Sequence, residues 1–381
     1  MGMLFLLTNT AWVTAAILAV LFLAVVLYTV LYLRALAPRR GTLEWVALYD
    51  RPALTPVWLP RVRVPEILGV LALAIVAAGI YFCFAGLSLG SFSTAFRELG
   101  NGMALSCGIF ALQSAAVYVL LRVLTGNPLV SIIVSLLPAF GIFADGGCVL
   151  ALTLCMIPLA CWLRLDADEP ARAGFLPLGF FALACAVSVQ LIPALCIPEA
   201  FLVLAFLAAL CLRFHETRRA DRLLQFLLSL LLFVLVWAIA SVVTLALITA
   251  PTAETPDFLR DGWFYYDALT PWEAIPPLRP HPAYALMTNP LTLLLGLIGA
   301  IVSIYAARRY GYTEALLLPA AMAGVTVLLF CGLDAVEAAA IPVLGCMTAR
   351  LVQRRRPVLA WIAVGAAFAF ALVCDLLMVL A

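Results

Sequence analysis

Hydrophobic residues along this chain come in long blocks, and arginine, glycine and proline separate the blocks. A bilayer's hydrocarbon core needs about 20 apolar residues per helical crossing. On that yardstick the pattern predicts about twelve helices, near 11–33, 67–87, 104–123, 128–143, 147–163, 175–193, 198–212, 223–249, 290–307, 313–332, 336–350 and 358–379. The runs at 128–143 and 147–163 are short, which fits either tilted helices or a hairpin that crosses only in part. Between them "PAFGIFADGGCVLALTL", Pro138 to Leu154, places Asp145 before two glycines in an otherwise apolar stretch. The expected fold is all-α, a polytopic transmembrane bundle. The first block, 11–33, reads as a retained helix, since no basic segment precedes it and no A-x-A cleavage site follows.

Composition supports the same class. The 381 residues are 66% hydrophobic and 11% charged, with a mean hydropathy of +1.16, against about half apolar in soluble domains. All 22 basic residues are arginine. In an alternating topology nineteen of them fall on one face, and only Arg97, Arg260 and Arg279 fall on the other. The positive-inside rule then makes the arginine-rich face cytoplasmic and sends both termini outward. An integral plasma (inner) membrane protein is the expected location. The acids show the reverse bias, with Glu98, Asp145, Glu199, Glu254, Asp257, Asp261, Asp267, Glu273, Asp334 and Glu337 mapping to the outer face. Asp375, near the outer end of the last block, is the main candidate for a charge inside the membrane, and reads best as a surface or snorkelling acid.

Motifs exclude several chemistries. The chain has no P-loop, no GxGxxG at a strand–helix junction, no GxSxG and no HExxH. Its eleven cysteines form no CxxC and it has only two histidines, so no zinc or iron–sulfur site is expected. Cysteines inside apolar segments read as small buried hydrophobes.

Two stretches between blocks stand out. Arg39 to Pro65 alternates Trp45, Tyr49 and Trp58 with arginines and prolines, the pattern of an interfacial segment on anionic lipid. Thr252 to Pro290 is the one long outer loop. It carries Arg260, Trp263, Phe264, Tyr265, Tyr266, Trp272, Arg279 and His281. Tyr and Trp gather at membrane interfaces in any case. They also suit a platform for a sugar, and an arginine there suits a lipid-linked phosphate. Asp145 precedes a predicted helix, so its carboxylate can cap that helix; it can equally position a metal, a base or a sugar hydroxyl.

The stretch Ser114 to Leu165, "SAAVYVLLRVLTGNPLVSIIVSLLPAFGIFADGGCVLALTLCMIPLACWLRL", resembles the core of GT-C-type membrane glycosyltransferases, including protein mannosyltransferases and aminoarabinose transferases. In that family one helix ends in a basic residue and a short cytoplasmic turn. The next ends in a proline and a short outer segment with an Asp. Here Arg122, Pro138 and Asp145 occupy those places. "GFLPLGFFALACAVSVQLIPALCIPEAFLVLAFLAAL", "NPLTLLLGLIGAIVSIYAARRYGYTEALLLPAA" and "AAAIPVLGCMTARLV" continue the family rhythm, so the likeness covers most of 67–350.

The resemblance implies a polyprenyl-phosphate sugar donor, an envelope acceptor and membrane lipid as partners. Nucleic acid is not among them, and no partner chain is indicated. It implies a catalytic acid in the first outer loop. In this chain that loop, Phe84 to Met103, holds Glu98 alone, beside Arg97. Glu98 is the expected base and Asp145 a supporting carboxylate. Arg97, Arg260, Trp263, Tyr265, Tyr266, Trp272, Arg279 and His281 are the expected substrate-binding residues. A divalent cation is compatible with such a site, and nothing in the sequence requires one. Four parts follow: an additional helix and interfacial segment (1–66), the GT-C-like core (67–250), the outer aromatic loop (251–289) and the C-terminal helices (290–381). An inactive scaffold or lipid-binding relative, and a twelve-helix transporter, remain the alternatives.

Overall fold

The computed structural model describes residues 15–31, 64–88, 103–140, 146–163, 171–217, 220–248, 290–310, 316–330, 335–353 and 356–380. These residues are helical with no strand among them. Twelve α-helices follow in order: α1 (Ala15–Leu31), α2 (Val64–Ser88), α3 (Met103–Thr125), α4 (Pro128–Val134), α5 (Gly146–Leu163), α6 (Ala171–Leu191), α7 (Cys196–Thr217), α8 (Ala220–Ile248), α9 (Pro290–Tyr310), α10 (Leu317–Phe330), α11 (Glu337–Gln353) and α12 (Pro357–Leu380). Short 3₁₀ turns follow α4 (Leu137–Phe140) and α6 (Pro193–Leu195). Each helix coincides with one of the twelve apolar blocks. Five spans, Pro65–Phe84, Ser106–Thr125, Pro193–Leu212, Leu227–Thr244 and Pro357–Cys374, are long and apolar enough to cross a membrane.

The bundle is organised around α5. Every side chain from Cys148 to Leu163 is buried, as expected of a helix that is apolar all round. Helices α3, α6 and α7 pack against it. The peripheral helices present large apolar residues outward, among them Ile75, Leu231, Val242, Ile301 and Val358. A soluble monomer rarely exposes such continuous apolar surface; a lipid-facing bundle does so by design.

Specific pairs fix the helix directions. Glu66 meets Tyr118 and Arg122, while Tyr81 stacks on Phe110, so α2 and α3 are antiparallel. Cys155 meets Glu199 and Trp162 meets Phe206, so α5 and α7 run parallel. Ser188 meets Glu199 and Phe181 approaches Phe206, so α6 opposes α7. Gly296 backs onto Ala340 and Gly299 onto Val343, so α9 and α11 are parallel.

The corner between α3 and α4 is written in the sequence "RVLTGNPLVS". Gly126 adopts a left-handed backbone (φ 66°), and its N–H closes on the Arg122 carbonyl at 3.0 Å. That is the usual helix C-terminal signal, since only glycine takes this conformation cheaply. Asn127 then caps α4, its Oδ1 accepting from the N–H groups of Leu129 and Val130 at 3.1 and 3.3 Å. Pro128 follows at the first helical position, where its missing N–H costs nothing.

The short element after this corner climbs the α2–α3 pair. Ile132 lies against Gly69 near the start of α2. The ring of Phe140 meets Phe84 near the end of α2, with centroids 6.4 Å apart. Between those levels α2 rises about 22 Å. The broken element thus carries the chain from the Arg122 end of α3 to its opposite end.

Candidate functional site

Three polar features stand out among the described residues of the apolar bundle. The first lies at the Arg122 end. Arg122 Nε donates to Glu66 Oε1 at 2.6 Å, and its Nη1 donates to the Gly126 carbonyl at 2.7 Å. Tyr118 Oη donates to the same Glu66 oxygen. The Arg122 side chain is 2% exposed and that of Glu66 10%. A buried charge is tolerable only when paired and hydrogen-bonded, and this pair satisfies both conditions while also closing the α3 C-terminus. The sequence placed Arg122 at the end of a helix; the structure keeps it in the last turn of α3 and buries it as the lock between α2 and α3.

The second feature lies beside α5. Glu199, in the first turn of α7, is 4% exposed. Ser188 Oγ donates to its Oε1 at 2.6 Å. Cys155 Sγ lies 3.2 Å from Ser188 Oγ and 3.7 Å from Glu199 Oε1. Cys185 completes the group: its sulfur, that of Cys155 and a Glu199 oxygen all lie within 4.8 Å of one another. The Pro193–Leu195 turn makes this possible by folding α7 back beside α6. Cys185 and Ser188, three apart, share a face of α6. Sequence reasoning mapped Glu199 to the outer face and read the cysteines as small buried hydrophobes, without bringing the three together. No signal in the spacing joins residues 33 and 44 positions apart across three helices.

The third feature is an orphan pair on α3. Gln113 and Ser114 are fully buried, and the Gln113 amide and the Ser114 hydroxyl have no hydrogen-bond partner among the described residues. Glu337, in the first turn of α11, is a further buried acid. Charged and polar groups inside the bundle are therefore more numerous than hydropathy indicated.

The expected site residues Glu98, Asp145, Arg97, Arg260, Trp263, Tyr265, Tyr266, Trp272, Arg279 and His281 all lie outside the described residues. Their flanking helices are described. Phe84 near the end of α2, Tyr81 against Phe110 near the start of α3, and Phe140 before α5 gather at one end of the bundle. Phe368 of α12 joins them, its ring 5.5 Å from that of Phe140. Gly324 of α10 lies against Pro198 in the first turn of α7, and Gly296 of α9 lies against Ala340 of α11 and Met322 of α10. Comparison with protein-family models, with curated proteins and with solved structures finds no match.

Proposed function

We propose that the chain is a membrane glycosyltransferase of GT-C type, moving a sugar from a polyprenyl-phosphate donor to an acceptor at the face opposite the Arg122 end. The observation that carries this reading is the Phe84–Phe140 contact, 6.4 Å between ring centroids. It joins the helix end from which the Glu98 stretch departs to the element that leads into the Asp145 stretch. Two carboxylate-bearing connections thus leave neighbouring points of one bundle end, as a two-acid site on that face requires. In this reading the arginine-rich face is cytoplasmic and the site faces outward.

The reaction follows from those groups. A carboxylate, Glu98, takes the proton of the acceptor hydroxyl. The freed oxygen attacks the anomeric carbon, its new bond forming as the bond to the phosphate oxygen breaks, and polyprenyl phosphate leaves with the electron pair. General-base help of this kind is worth roughly 10²- to 10⁴-fold. Asp145 orients the acceptor or the sugar. Arg97, Arg260 or Arg279 offsets the charge growing on the leaving phosphate. Trp263, Tyr265, Tyr266 and Trp272 offer ring faces to the sugar, and His281 a hydrogen bond.

The test is transfer from radiolabelled polyprenyl-phosphate sugars to an envelope extract, with purified protein in lipid beside Glu98→Gln and Asp145→Asn. Activity that falls at least 100-fold in well-folded Glu98→Gln supports the assignment. Lipid binding without transfer in the wild type identifies an inactive relative instead. The buried acids Glu199 and Glu337 favour a second reading, a transporter, because ionisable groups inside membranes mark ion and substrate paths. That reading predicts solute uptake into proteoliposomes, which the transferase reading does not.

A further inference from the structure

We propose that Cys155, Cys185 and Glu199 bind a zinc ion that pins α5, α6 and α7 together, with Ser188 as the fourth ligand or as a hydrogen-bond donor to the carboxylate. The inference does not depend on the transferase reading.

Four observations carry it. The donor set is right: two thiolates and a carboxylate suit zinc, which takes sulfur at about 2.3 Å and oxygen at about 2.0–2.2 Å in a tetrahedron. Those lengths place a sulfur and an oxygen of one tetrahedron about 3.6 Å apart, and Cys155 Sγ and Glu199 Oε1 are 3.7 Å apart. All three ligand atoms already lie within 4.8 Å, so closing on an ion needs only rotamer adjustments. The three residues come from three successive helices, as a cross-linking ion requires.

The charge balance points the same way. Glu199 has no arginine partner among the described residues, whereas Glu66 has Arg122. A carboxylate in an apolar core is costly without a cation or a full set of donors. Zinc with two thiolates is neutral. The remaining negative charge of Glu199 sits in the first turn of α7, where the helix dipole favours it, and Ser188 donates to it. Burial of Cys155 and Cys185 keeps the thiolates from oxidants and chelators, so the ion is a structural one, taken up as the helices close.

The experiment uses the intact chain in nanodiscs, purified without chelator. Metal per chain is read by elemental mass spectrometry. The expected result is about one zinc per chain, retained in Cys83→Ser and Cys211→Ser, which alter exposed cysteines, and lost in Cys155→Ser and Cys185→Ser. Ser188→Ala is expected to weaken zinc affinity about 10- to 100-fold, as loss of a supporting ligand contact does. Because the Cys155 and Cys185 variants can fail to fold, wild-type protein grown on cobalt gives a second reading, a thiolate-to-cobalt charge-transfer band with tetrahedral d–d absorption. Wild type that carries no zinc and shows no such band overturns the proposal, as does zinc that survives both cysteine substitutions.

Discussion

Arg122 and Glu66, 56 positions apart in sequence, form a buried ion pair at 2.6 Å that locks the start of α2 to the end of α3. Removing one partner leaves the other charge stranded in an apolar interior, which costs about 3–5 kcal/mol. Arg122→Met alone and Glu66→Gln alone should each lower the melting temperature of detergent-solubilised protein markedly. The double variant should recover much of the loss, because replacing both partners of a buried pair is often close to neutral. Thermal unfolding followed by size-exclusion chromatography reads all three.

The contact of α10 with α7 depends on Gly324. A Cβ there would stand 2.5 Å from the Pro198 Cα, a backbone atom that cannot step aside as a side chain can. Gly324→Ala should destabilise by about 1–3 kcal/mol through overpacking. Gly365→Ala, where a Cβ meets nothing within 4 Å, should be neutral or stabilising by about 0.5–1 kcal/mol. The two melting temperatures should therefore move in opposite directions or differ clearly.

At the corner joining α3 to α4, Asn127→Ala removes the acceptor for two backbone N–H groups and should cost about 1 kcal/mol. Gly126→Ala places a Cβ in the left-handed region and should cost about 1–2 kcal/mol. Urea or thermal unfolding of the two single variants checks both values.

Gln113 gives an opposite expectation. Its amide is buried without a partner among the described residues, and such a group costs about 1–3 kcal/mol. Gln113→Leu should therefore keep or raise stability. If transfer activity or lipid binding falls while the melting temperature holds, the amide serves a bound ligand and not the fold.

Much of this architecture is legible in the chain because a membrane crossing leaves a long apolar signature. All twelve blocks became helices, and "TGNP" fixed the corner after α3 through residues whose roles are local. Hydropathy says where a helix lies and not which way each side chain turns. Helices apolar on every face carry no stripe to mark the partner side. The burial of Glu199 against Ser188 therefore left no mark in the sequence. Arg122 read as a helix-end cation, with nothing in the pattern to show that Glu66 holds it buried. Cys155 and Cys185 read as unrelated, because their meeting depends on how three helices pack. The aromatic and acidic residues expected to handle substrate fall in 251–289 and in the stretches holding Glu98 and Asp145, outside the described residues.

The account rests on the Glu98 and Asp145 connections sharing one face of the membrane. Cysteine placed at Ser93, at Ala144 or at Thr42 in intact cells, probed with a membrane-impermeant maleimide and mapped by mass spectrometry, measures this directly. The account predicts that Ser93→Cys and Ala144→Cys both react from outside, while Thr42→Cys reacts only after permeabilisation. Reaction of Ser93→Cys and Ala144→Cys from opposite sides would contradict it, whatever the protein's activity.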